Sequence, residues 1–213
     1  RHRMNLILLG APGAGKGTQA ELLTQKLGIP AISTGNMLRE AMRNDTETGR
    51  EVTYYMDNGL LVPDDVILAI VRDRVSCPDC ARGFILDGVP RTLAQAQSLD
   101  SLGIRIDHVV SIEIDDAVIE ARMMGRRVCS ACGASYHITA HPPKVEGICD
   151  ACGGSLMTRH DDTPETVRRR LAVYHKQTEA LKDFYQQLGK LRLVEGNQPI
   201  EDANRAILGA IGA

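Results

Sequence analysis

Apolar residues in this chain come in short unbroken runs, separated by polar stretches punctuated with glycine. The first run, Met4 to Leu9, ends at Gly10, as a strand buried on both faces would. After a glycine-rich turn, "GTQAELLTQKLG" switches to helical spacing, with Leu22, Leu23 and Leu27 expected on one side and Gly28 as the stop. "IPAIS" at 29–33, "GFILDG", "HVVSIEI" and "LRLVEG" read as further short strands. "VPDDVILAIVRDRV" predicts a helix with Pro63 and two acids at its positive end, and "RTLAQAQSLDSLG" another that stops at Gly103. Thr163 and Pro164 open a third, which the pattern carries to about Leu188. Strands alternating with helices imply an α/β fold, a central parallel sheet flanked by helices on both faces.

Two stretches break the alternation. Residues 34–62 hold two helical segments around the polar "RNDTETGRE" and no strand; residues 126–161 hold cysteines, "HPPK" and several glycines. Both read as hinged inserts between core elements. The expected division is a core of 1–33, 63–125 and 162–213, one insert at 34–62 and a second at 126–161. There is no internal repeat and no low-complexity tract.

Composition narrows this picture. A chain of 213 residues can bury one good core and carry small insertions. Net charge of −2 argues against a nucleic-acid coat or a membrane-surface binder, although arginines cluster locally. No apolar run of about 18 residues suggests a membrane span. "RHRMNLILLG" is too short and too soon structured for a secretion signal, and Arg1 to Arg3 ahead of Met4 receive no role. Six cysteines, four of them in the paired spacing of a metal ribbon, fit a reducing compartment, so the chain is expected in the cytoplasm.

Gly10-x4-Gly15-Lys16-Gly17-Thr18 fits a phosphate-binding loop with Gly17 inserted between the lysine and the hydroxyl residue, and it sits between a strand and a helix as such loops do. Its glycines let backbone N–H groups turn inward onto phosphate oxygens, and the following helix adds its positive end. Lys16 is placed to bridge outer phosphates and Thr18 to assist a magnesium shell. Cys129-x2-Cys132-x16-Cys149-x2-Cys152 has zinc-ribbon spacing. Four thiolates close a tetrahedral shell, so the expected ion is structural, a substitute for the core that about 40 residues cannot build. The competing reading is two disulfides. Cys77 and Cys80, in "CPDC", read as idle thiols in a helix-end turn, and His137 and His141 receive no ligand role.

"GAPGAGKGTQA", "ISTGNMLR", "LDGVPRT", "GRRVC", "TRHDD" and "ETVRRRL" occur in the order and spacing of the adenylate kinases, and from Met4 onward the chain resembles the long form with a zinc-binding lid. The resemblance implies a P-loop kinase fold whose two inserts, an AMP-binding one and the zinc lid, move. It implies ATP + AMP giving two ADP with magnesium, and a monomer with neither nucleic acid nor membrane as partner. It places ATP against Gly13, Ala14, Gly15, Lys16, Gly17 and Thr18, with Arg126, Ser135, Tyr136 and the Gln198 carbonyl completing that site. AMP would meet Thr34 and Arg39, base contacts at Leu60, Leu61 and Val62, and Gly88, Val89, Pro90 and Arg91, with Gln95 on the adenine edge. Arg159 and Arg170 would converge on the transferring phosphate. Asp87 would hold magnesium through water, and Asp161 and Asp162 would lock the closed lid. The family usually has Asp where this chain has Asn36, Phe where it has Val89, and often Lys at Gln198.

The implied chemistry needs no general base, because a phosphate monoester acceptor is already ionised near neutral pH. It needs two anions aligned and their repulsion cancelled, which suits arginine. Lys16, Arg39, Arg91, Arg126, Arg159 and Arg170 are the cations expected there; Arg168 and Arg169 are expected in solvent. The residues leave two rival readings. One is a kinase for UMP, CMP or GMP. The other is a nucleic-acid reader using the ribbon, which fits poorly with one lysine, one tyrosine and two acids in 129–152.

Overall fold

The structure, a computed structural model, describes residues 3–213, so Arg1 and His2 lie outside it. Five strands form one parallel sheet in the order β2–β3–β1–β4–β8: β1 is Met4–Gly10, β2 Ala31–Ser33, β3 Gly83–Asp87, β4 His108–Glu113 and β8 Leu191–Glu195. Register is set by pairs such as Leu6 with Ile85 and Ile7 with Val109. The expected α/β architecture is therefore borne out.

The two-residue period of a strand sorts the apolar run into two cores. Ile7, Leu9, Phe84 and Leu86 face α4 (Asp64–Val75), α5 (Leu93–Ser101) and α8 (Ala180–Gln187). Leu6, Leu8, Ile85 and Val110 face α1 (Lys16–Leu27) and α9 (Ile200–Ile211). Phe84, Ile85 and Leu86 are each 0% exposed, and burying a side chain of this size contributes about 1.5–3 kcal/mol.

Between β2 and α4 lie α2 (Thr34–Arg43) and α3 (Glu47–Asp57), each started by a hydroxyl cap: Ser33 Oγ accepts the Asn36 N–H and Thr46 Oγ1 the Gly49 N–H. After α6 (Asp116–Met124) the chain leaves the sheet for a small antiparallel one, order β6–β5–β7, made by β5 (Arg126–Cys129), β6 (Ser135–His137) and β7 (Leu156–Met157). Its buried centre is Cys129, Tyr136 and Cys149. Among the described residues, no helix is long and apolar enough to cross a membrane.

Several local expectations need correction. The buried face of α1 is Gln19, Ala20 and Leu23, while Leu22 is only half-buried, because the tertiary contact is with α9: Gln19 Nε2 donates to the Ile200 carbonyl at 3.0 Å. The second strand begins at Ala31, not at residue 29. The helix expected from Pro164 to about Leu188 is faulted: α7 (Pro164–Val173) passes through a π turn, Tyr174–Thr178, before α8. α6 and α9 were missed although their start signals are present, Asp116 in the first turn of one and Pro199, Glu201 and Asp202 opening the other. Cys77 and Cys80 flank a single 3-10 turn, Pro78–Cys80, with Cys77 exposed and Cys80 buried.

Candidate active site

β1 lies between β3 and β4, whose connections leave in different directions, so a crevice opens at the carboxyl ends of these strands. The Gly10–Lys16 turn fills its floor. Gly15, at φ 98°, caps α1 in the left-handed conformation that glycine adopts without a Cβ penalty. Lys16 Nζ reaches back to the Gly10 and Ala11 carbonyls at 2.9 and 3.1 Å.

Above this floor is a cavity of about 920 Å³. Of the residues expected at ATP, Gly13, Ala14, Gly15, Lys16, Gly17 and Thr18 line it, as do Arg126, Ser135, Tyr136 and Gln198. Of those expected at AMP, Thr34, Arg39, Leu60, Leu61 and Val62 line it, with Gly88, Arg91 and Gln95 beside them. Arg159, Asp161, Arg170 and Asp87 complete the wall. Three expected residues stand outside the lining. Val89, 1% exposed, belongs to the apolar core; Pro90 lines a separate hollow of about 50 Å³; and Asp162 lies behind the guanidinium groups.

The cations are held by a few acids and carbonyls. Arg126 makes a two-point contact with Asp162, its Nε at 2.8 Å from Oδ2. Asp161 Oδ2 is 3.6 Å from both Arg39 and Arg170. Arg91 Nε donates to the Gly88 carbonyl at 2.8 Å. Gly88 is required there, since a Cβ would stand 2.6 Å from Thr34 Oγ1. Gln95 is committed to protein: Oε1 accepts the Arg91 N–H at 2.7 Å and Nε2 donates to Asp64 at 2.8 Å.

Electrostatics mark the cavity as built for anions. Burial, only partly offset by Asp87, pushes Lys16 down to about 8, and Arg91, Arg170 and Arg126 push the same way. Burial likewise lowers Arg39, Arg159 and Arg170, with neighbouring cations adding to it, and lowers Arg91 against the opposing pull of Asp87 and Asp161. Burial alone would raise the Asp161 carboxyl, but Arg170 and Arg39 outweigh it and hold it below the usual carboxylate range. Arg159 Nε and Asp161 Oδ1 are buried without a partner. This crowding of positive charge stabilises whatever phosphate enters.

The two excursions meet over the cavity. Arg159 donates to Asn36 Oδ1 at 3.3 Å, His160 Nε2 lies 2.6 Å from Asp57 Oδ1, and Arg43 bonds to the Ser130 carbonyl. The small sheet also rests on α1, where the Ser135 N–H donates to Glu21 Oε1 at 2.9 Å. A Cβ on Gly17, one turn earlier on the helix, would stand 3.2 Å from Ser135 Oγ.

The four ribbon sulfurs lie within 4.8 Å of one another, with Cys129–Cys152 at 3.5 Å and Cys132–Cys149 at 3.6 Å. Four thiolates about 2.3 Å from one tetrahedral ion would stand about 3.8 Å apart, so the cluster fits zinc. The cysteines are free thiols, which disfavours the disulfide reading. His137 bonds to the Arg122 carbonyl and His141 stacks on Tyr136, and neither belongs to the four-sulfur group.

A family model described as adenylate kinase matches residues 8–190. The chain belongs to the adenylate kinase family. It is 54% identical over 213 residues to the adenylate kinase of Caldicellulosiruptor bescii, covering 98% of this chain and 99% of that one. The adenylate kinase of Acetivibrio thermocellus is 52% identical over 212 residues, 98% of each chain, and that of Geobacter sulfurreducens 54% identical over 209 residues, 96% of each. As an adenylate kinase it is a nucleoside monophosphate kinase, transferring a phosphoryl group between ATP and AMP.

Some residues of this adenylate kinase site were missed in the sequence. Arg122 lines the cavity and donates to the Gly196 carbonyl at 3.1 Å; Glu21 seats the small sheet; Asp64 holds Gln95. Each lies on a helix face indistinguishable from a solvated one until its partner, distant in sequence, is known.

Proposed function

We propose that residues 34–62 and 126–161 are two mobile covers on the sheet, and that their closure assembles the cation set around the transferring phosphate. One observation carries this reading: Lys16, Arg39, Arg91, Arg126, Arg159 and Arg170, drawn from segments up to 154 positions apart, line one cavity. Lys16 and the N–H groups of residues 13–18 grip the ATP phosphates. Arg39 and Arg91 orient the AMP phosphate, while Arg126, Arg159 and Arg170 fork onto the group in flight. Thr34, Gly88, Gln95 and the stretch 60–62 hold the AMP base, and Gln95 must exchange a protein partner to do so. The Arg126–Asp162 and Arg39–Asp161–Arg170 contacts keep the guanidinium groups aimed before substrate arrives, which lowers the cost of alignment. A water molecule is the wrong acceptor, and a site complete only under both covers excludes it.

Magnesium, when bound with the nucleotide, supplies charge neutralisation between the outer phosphates. Asp87 (through water) and Thr18 are the residues that would hold it. Zinc on Cys129, Cys132, Cys149 and Cys152 supplies a structural crosslink with no open position. The four cysteines then hold 126–161 as one rigid body. The chain works as a monomer in a reducing, cytoplasmic setting.

The deciding measurement is ADP formation from ATP with AMP, UMP, CMP or GMP, with and without magnesium. AMP with magnesium should give the fastest turnover; faster turnover with another monophosphate would overturn the assigned base contacts. Single-turnover kinetics should run faster than steady state if opening limits release. A burst-free time course at the steady-state rate would remove the mobile-cover account.

A further inference from the structure

The helical rod from Pro164 to Gln187 contains one fault. At Tyr174–Thr178 the turn widens, and the Glu179 N–H bonds at 2.9 Å to the Tyr174 carbonyl, five residues back rather than four. A widened turn has poorer packing than the α-helix around it and persists where re-aiming a side chain brings a compensating contact. One inserted residue rotates everything after it by about 100° around the helix axis.

The side chain that gains a contact here is Thr178. It is 7% exposed, and its hydroxyl donates to the Arg91 carbonyl at 2.8 Å, across 87 positions of sequence. The Arg91 backbone is thus gripped at both ends by side chains, its N–H by Gln95 Oε1 at 2.7 Å and its carbonyl by Thr178, while its Nε is held by the Gly88 carbonyl. The turn and the cation set also share a hollow of about 50 Å³, lined by Lys16, Arg91, Arg170, Tyr174 and Thr178 among others. The fault therefore sits directly behind the phosphate side of the active site.

We propose that the π turn at 174–178 makes Thr178 a positioning residue for Arg91, fixing the backbone from which the guanidinium reaches the acceptor phosphate. The proposal rests on reading Arg91 as a phosphate ligand. Thr178 touches no substrate; it acts by limiting how far the Arg91 peptide can tilt. Guanidinium placement is sensitive to such tilts, since misplacement on the order of 1 Å can cost about a hundredfold in rate.

The test compares Thr178→Val, which keeps the shape and deletes the donor, with Thr178→Ser, which keeps the donor. T178V should raise the KM for AMP and lower kcat/KM for AMP by about 5- to 30-fold, the range expected when a buried carbonyl loses a hydrogen bond. The KM for ATP should stay within about twofold, because Lys16 and the glycine turn are untouched. T178S should recover most of the loss. Thr178→Ala, read in the same way at low temperature, serves if the valine variant folds poorly. A lowered Tm with an unchanged AMP KM would make Thr178 merely structural and overturn the proposal, as would equal losses in T178S and T178V. Arg91→Ala separates the two readings. If R91A leaves the AMP KM unchanged, the Arg91 assignment fails; if R91A raises it and T178V does not, only the Thr178 proposal fails.

Discussion

The sheet core and the small sheet over the active site are held together by different physics. In the core, β1 and β3 present residue after residue at or near full burial, and the two apolar clusters continue into seven helices, α1 to α5, α8 and α9. In the segment 126–161 the buried cluster is three residues, two of them cysteine, while Ile138, Val145, Ile148 and Met157 remain exposed. The core is cohesive because apolar area scales with the number of layers packed. The small sheet has no second layer, and an ion on its four clustered sulfurs would substitute for one. The difference also separates the two inserts: 126–161 buries a small cluster of its own, whereas Leu38, Val52 and Val62 of 34–62 pack into the cluster of the sheet.

Four measurements sharpen or break this contrast, the largest expected effect first. Leu86→Ala removes a fully buried side chain from β3 and should cost about 2–5 kcal/mol in global unfolding, with zinc content unchanged. Loss of zinc in L86A would show that core and cover are not separate units. Cys149→Ser opens the sulfur cluster and should release zinc and cost about 2–3 kcal/mol, lowering Tm by roughly 4–12 °C. Turnover in the cold should largely survive; its abolition in a folded C149S protein would give the ion a chemical role.

A third, smaller effect concerns how the cover seats. Burial pushes the Glu21 carboxyl from 4.5 up to about 7, against the opposing Ser135 N–H bond and with help from Cys149. A raised acid value means that the seated state favours the protonated form. Seating is therefore unpenalised below about 4.5, grows costlier as pH rises to about 7, and levels off above. Wild-type affinity for a bisubstrate nucleotide mimic should fall several-fold more than that of Glu21→Gln between pH 5.5 and 8. Parallel pH curves would mean that the carboxyl is not buried by closure.

The smallest effect belongs to the core surface. Glu179 and Asp116 raise His175 above its ordinary value through hydrogen bonds. That pairing stabilises the fold below the ordinary histidine value and is lost as pH rises through the raised one. His175→Gln should cost less than about 1 kcal/mol at pH 6, since the pair is half exposed, and nothing by pH 9. Equal destabilisation at both pH values would assign the effect to packing instead.

Local chemistry made much of this legible. The phosphate loop could be read because its glycines, lysine and hydroxyl residue are consecutive, and the sulfur cluster because its ligand pairs have a fixed spacing. α6 and α9 also carry local start signals, Asp116 in one and Pro199, Glu201 and Asp202 in the other. The π turn had no local signal: "VYHKQTEA" has ordinary helical composition, and the contact that accompanies the fault, Thr178 with Arg91, spans 87 positions. The same holds for Glu21 and Asp64, ordinary helix-surface acids until Ser135 and Gln95 arrive from 114 and 31 positions away.

By itself, the sequence determined which segments form the parallel sheet, where the glycine-rich loop lies, which cysteines pair in ribbon spacing, and which family the motifs resemble, because each depends on neighbours within a turn or a strand; the three strands of the small sheet carried no such signal. Only the tertiary structure decided which arginines share one cavity, which side chains hold them, and that Val89 turns into the core instead of the cleft. Those outcomes depend on contacts between residues far apart along the chain, whose closing entropy is recovered only when the whole sheet packs.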